Sequence, residues 1–96
     1  MTTPYTLVDA IAAADLLGLN RAWIRHRNGR TAIRISSGDW RLFVYAIAGD
    51  GFSLHWYAVN AAAARDEYGV WGCTADAVAT LTALQDPDHP APPRAR

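Results

Sequence analysis

Arginine is the side chain that this sequence concentrates. Arg21, Arg25, Arg27, Arg30, Arg34 and Arg41 fall within residues 21–41, where Asp39 is the sole acid. A guanidinium presents a planar fork of N–H donors suited to phosphate or carboxylate, so this block points to an anionic partner. The whole chain nonetheless has a formal net charge of zero, so acids elsewhere balance the block. A dedicated nucleic-acid binder is usually basic overall, which weakens that reading. Lysine is absent, and Ala, Gly, Asp and Thr are abundant. Codon bias in a GC-rich genome, such as that of an actinobacterium or its phage, accounts for this composition, and selection of Arg for bidentate binding is the sharper alternative.

The remaining chemistry is sparse. His26, His55, His89 and Cys73 show no metal-ligand spacing of the C-x-x-C or H-x-x-x-H kind. Cys73 precedes a helix start, where a thiol can be activated, but its neighbours Trp71 and Gly72 suggest packing. His55 and Tyr57 share one strand face, yet no nucleophile or carboxylate is spaced to complete a mechanism. Gly49-Asp50-Gly51 lies between strand patterns and reads as a turn, not a phosphate loop. The expectation is therefore a non-enzymatic protein with no catalytic residue, metal or cofactor and no evident small-molecule substrate.

These side chains must be positioned by a short list of elements. Thr6 followed by Asp9 resembles a capping box, and Leu7, Val8, Ile11, Ala14 and Gly18 keep helical spacing, with Leu16 and Leu17 widening the stripe. Gly18 suits the left-handed position that ends a helix. Two hairpins follow. The first joins strands at residues 22–27 and 31–36 through Asn28-Gly29, the pair best suited to a two-residue type I′ turn. That turn would pair Ile24 with Ile33 and Ala22 with Ile35 on an inner face. Trp23, Arg25, Arg27, Arg30 and Arg34 would then share the outer face. After a turn at Ser37-Gly38-Asp39, the second hairpin joins residues 40–48 and 52–59. With Asp50-Gly51 as its turn, Phe43, Tyr45 and Ile47 would share a face with Leu54, Trp56 and Ala58. Leu42, Val44 and Ala46 would then lie beside Ser53, His55, Tyr57 and Val59. A three-residue loop would exchange the faces of the last strand.

Asn60 would cap a short helix over residues 61–68, although Asp66 and Glu67 oppose its dipole, and Val70-Trp71 would add a short edge strand. A final helix begins at a Thr74 cap, buries Val78, Leu81 and Leu84, and stops by Gln85. The fold class expected is α+β: a four-stranded antiparallel meander of two hairpins, with N- and C-terminal helices packed on the sheet. Residues 1–85 form one domain, and residues 86–96, with four prolines, form a flexible tail.

A strand at 40–48 that is apolar on both faces needs cover on both. Two readings answer this: cover by the 60–73 segment, or a homodimer whose interface includes Leu42, Val44, Tyr57 and Val59. The functional expectation is an accessory or regulatory interaction protein that uses its sheet and aromatic residues for self-association or protein binding. The alternative is nucleic-acid binding through Trp23, Arg25, Arg27, Arg30, Arg34 and Arg41, with Trp23 and His26 stacking on exposed bases. The block also has the plain reading of a solvated face that protects a sheet edge. One cysteine excludes an intrachain disulfide, no export signal is evident, and the longest large-apolar run is far too short to span a bilayer. Together these point to the cytoplasm, with no membrane partner.

Overall fold

The first helix, α1 (Leu7–Leu16), is built as its ends require. The Asp9 carboxylate accepts hydrogen bonds from the Thr6 backbone N–H (2.8 Å) and hydroxyl (2.9 Å), which ties down the first turn. At the other end, Gly18 has φ +67°. Its N–H donates to the Asp15 carbonyl, and the Leu19 N–H reaches back to the Ala14 carbonyl. These two bonds form a Schellman stop. The apolar stripe differs from the expected one. Ala10, Ala13 and Ala14 are the fully buried residues, and Val8 and Leu16 face solvent. Small side chains let α1 approach α2 (Thr74–Gln85) closely, and α2 is its main neighbour.

The computed structural model describes residues 4–25, 30–46, 53–60, 62 and 65–86. Between the helices runs a five-stranded antiparallel sheet in strictly sequential order. Its strands are β1 (Asn20–Arg25), β2 (Thr31–Ser37), β3 (Trp40–Ala46), β4 (Leu54–Asn60) and β5 (Arg65–Trp71). The architecture is thus α+β, with one strand more than the sequence suggested. The fifth strand, β5, extends the short edge strand expected at Val70-Trp71 back to Arg65 and takes up the end of the expected 61–68 helix. Residues 65–71 alternate, with Glu67 and Trp71 buried and Asp66, Tyr68 and Val70 exposed. Alternation is the strand period, and the bonds of the otherwise open β4 edge outweigh a helix whose acids sat at the wrong end.

Both hairpin registers depart from those expected. In the first, Trp23 pairs with Ile33, Arg21 with Ile35 and Arg25 with Thr31, a shift of one residue. The shift turns Arg21, Trp23 and Arg25 to the helix side, where Arg21 reaches Asp15 of α1 at 3.1 Å. Trp23 lines a recess with Ile11 and Ile33. Contacts with α1 outweigh the local turn preference. In the second, Val44 pairs with Trp56, Leu42 with Ala58 and Tyr45 with His55, which is the exchanged register. It gathers aliphatic and Trp side chains on one face and leaves Tyr hydroxyls and imidazole on the wetter one. The turns at Asn28-Gly29 and Asp50-Gly51 lie outside the described residues, as do His26 and residues 87–96 of the tail. The turn at Gly38-Asp39 is formed as expected, with Gly38 at φ +58°.

One core results. Ile33, Ile35, Leu42, Val44, Leu54 and Trp56 of the sheet meet Ala10, Ala13, Ala14, Ala77, Leu81 and Leu84 of the helices. Trp71 is fully buried, and its indole N–H donates to the Thr80 hydroxyl of α2 at 3.0 Å, joining sheet to helix. Cys73 caps α2 one residue before the Thr74 expected, and it is exposed, not packed. Val78 is half-buried, while Ala77 joins Leu81 and Leu84 in the core.

Candidate binding face

Directly paired residues of an antiparallel sheet share a face, and successive residues alternate between faces. The observed registers therefore set out the face turned away from the helices, the outer face, as three rows across the sheet. One row is Ile24, Ala32, Tyr45, His55 and Val70; the next is Ala22, Arg34, Phe43, Tyr57 and Tyr68; the third is Asn20, Ser36, Arg41, Val59 and Asp66. Among the described residues no element covers this face, because both helices contribute to the core on the other side.

Its centre is aromatic. Phe43 and Tyr57 stack with ring centroids 5.5 Å apart and planes 25° apart. Tyr45 and His55 lie 6.1 Å apart in the neighbouring row. Tyr68 is 38 % exposed and Val70 49 % exposed, both on the edge strand β5. Between β4 and β5 a shallow cleft of about 510 Å³ is lined by Tyr45, His55, Tyr57, Tyr68 and Val70, together with the Trp56–Gly69 pair. Gly69 is required there: a Cβ at this position would stand 2.8 Å from Trp56 Cζ2, so the indole occupies the side-chain space of its cross-strand partner. Trp56 continues to Trp71, with centroids 5.9 Å apart.

The sequence-derived site residues separate. Arg34 and Arg41 lie on the outer face, Trp23 and Arg25 on the helix side of β1, and Arg27 outside the described residues. Arg30 precedes β2 and its Nη1 donates to the Ala46 carbonyl at 3.4 Å. The continuous row of guanidinium groups is therefore not formed, because the one-residue shift alternates them between faces. Arg41 Nη1 donates to the Gly38 and Trp40 carbonyls at 2.8 and 2.9 Å, bracing the β2–β3 turn. Of the expected interface set, Tyr57 and Val59 lie on the outer face, but Leu42 and Val44 are fully buried in the core. Phe43 and Tyr45 take their place on the outer face. The signal that would have found Tyr68 and Val70 is the alternation of residues 65–71, whereas Phe43 and Tyr45 follow from the exchanged β3–β4 register.

No group of three or more His, Cys, Asp or Glu side chains that could hold a metal ion occurs among the described residues. Glu67 is buried on the helix side and reaches Arg65 at 3.3 Å, a structural pair. Burial, and then the charge of Asp9, push the Tyr5 hydroxyl up to about 12. No helix is long and apolar enough to cross a membrane among the described residues. No protein-family model, curated protein or solved structure matches this chain.

Proposed function

We propose that this chain is a small non-enzymatic interaction protein that binds a protein surface, a second copy of itself included, through the outer face of its sheet. One observation carries the reading: a five-stranded sheet whose helices contribute to the core on one side turns Phe43, Tyr45, His55, Tyr57, Tyr68 and Val70 outward on the other. Contiguous exposed apolar surface rimmed by polar residues is the mark of an interaction site. Tyr with flanking Arg is the composition of binding hot spots. The exposed lone thiol of Cys73 supports a reducing compartment, the cytoplasm. The test is amide chemical shifts recorded over a dilution series beside light-scattering mass. Concentration-dependent shifts confined to the outer-face rows are expected. Shifts confined to α1 and α2 would remove the face from the proposal.

A second reading, single-stranded nucleic acid, draws on the placement of Arg34 in one row with Phe43, Tyr57 and Tyr68. Aromatic rings beside a guanidinium form the usual stacking platform for bases. Binding of an oligonucleotide that falls steeply with salt, and falls further with Arg34→Glu, would favour it over protein binding.

A further inference from the structure

We propose that the outer face docks a second copy of this chain, with the two-fold axis running along β4, so that Arg41 of each copy faces Asp66 of the other. This rests on the reading of the outer face as an interaction surface and says which partner it takes and in which orientation. The charges select the orientation. Asp66, on β5, is the sole acid of the three outer-face rows, and its row contains Arg41 two strands away on β3. The ion pairs Arg21–Asp15 and Arg65–Glu67 use neither residue.

Of the in-plane two-fold axes that bring two such faces together, three show how the charges choose among them. An axis across the strands lays the Asp66 row over the Val70 row and buries each carboxylate against an aliphatic side chain, a costly desolvation. An axis along β3 sets Arg41 against Arg41. An axis along β4 exchanges β3 with β5 and keeps each row in place. Arg41 then meets Asp66 twice by symmetry, Phe43 meets Tyr68, and Tyr57 meets its own counterpart. An axis along β4 lays the two β4 strands parallel, and packed sheets stand about 10 Å apart, a gap that an extended Arg opposite an Asp spans. To reach across, Arg41 gives up the Gly38 and Trp40 carbonyls that its Nη1 holds in the free chain, so the contact with Asp66 forms in exchange for these two bonds.

The contact is modest. Three strands at about 4.8 Å spacing and about 3.3 Å rise per residue give a patch of roughly 15 Å by 20 Å, below the roughly 800 Å² per partner of a standard interface. Weak association in the micromolar range or above follows, so the pair of charge contacts decides whether it forms.

Charge reversal tests the orientation. Arg41→Asp and Asp66→Arg are each expected to weaken self-association by about tenfold or more, as close interfacial charge pairs do. An equimolar mixture of the two variants is expected to recover the parent affinity in the mixed dimer, because one contact re-forms with its signs exchanged and the other is the unmutated Arg41–Asp66 pair. If Arg41→Asp loosens the β2–β3 turn, as its circular-dichroism melt would show, Asp66→Arg alone carries the test. Its mixture with the parent chain should fall between the two homodimers. Parent self-association through the outer face, unmoved by either reversal or not rescued by mixing, overturns the β4 axis and leaves the face as the interaction surface. A parent chain that stays monomeric at high micromolar concentration overturns the second copy as occupant. Outer-face shifts on adding a single-stranded oligonucleotide to that monomer would name nucleic acid instead.

Discussion

At the scale of single residues, Gly69 and Trp56 act as one unit. The indole lies where the Gly69 side chain would be, so Gly69→Ala drives a methyl into a ring 2.8 Å away. Overpacking of this kind costs about 1–3 kcal/mol, and urea melts should show it. In a Trp56→Leu background the same change should cost little, so the double-mutant cycle isolates the contact. Ser37 gives the opposite sign. Its hydroxyl is buried on the helix side with no hydrogen-bond partner, so Ser37→Ala should be neutral or stabilising by up to about 1 kcal/mol. Tyr5 sets an alkaline limit. Its folded pKa, pushed up to about 12 by burial and then by Asp9, exceeds the ordinary value of about 10 in the unfolded chain. The unfolded state therefore holds fewer protons between these values, and stability falls as pH rises. The Tyr5 contribution should be fully present below about pH 10 and lost as pH climbs through about 12. Tyr5→Phe, melted in parallel, should lack that part of the decline.

At the scale of elements, what was legible was local. The Thr6–Asp9 box, the Gly18 stop and the end of α2 at Gln85 each follow from residues within one turn of the feature they create. The first hairpin register was not legible and the second only as the alternative of a three-residue loop, because Asn28-Gly29 and Asp50-Gly51 express a turn preference of small energy, while Ile11, Ile33 and Trp56 express packing across the fold. A one-residue slip reverses every side chain, so a correct set of strand residues gave the wrong partners for Arg25 and Arg34. The face assignment has a direct check. Arg34→Glu should alter whatever the outer face binds, and Arg25→Glu, on the helix side of β1, should leave that binding within experimental scatter. Chemical-shift titration of both variants measures it.

At the scale of the whole molecule, several of the aromatic side chains gather on the outer face of the sheet, and the apolar residues beside them are not those the sequence suggested. Leu42 and Val44 join the core and Phe43 and Tyr45 the outer face because the exchanged β3–β4 register sets Leu42 and Val44 beside Ala58 and Trp56, and β5 extends the outer rows with Tyr68 and Val70. If this face self-associates, dilution should lower the scattering mass and raise Tyr solvent exposure together. The strictly sequential strand order has a kinetic consequence. Every pair of neighbouring strands closes a short stretch of chain, whereas α1 and α2 meet only by bringing its two ends together. Closing that long loop carries the larger entropy cost, so the sheet can zip hairpin by hairpin before the helices clasp. Substitutions at the helix contact, Ala13→Gly or Leu81→Ala, should then speed unfolding and leave the refolding rate nearly unchanged, whereas Val44→Ala at the centre of the sheet should slow refolding. Stopped-flow chevrons on the three variants would separate zipper from clasp.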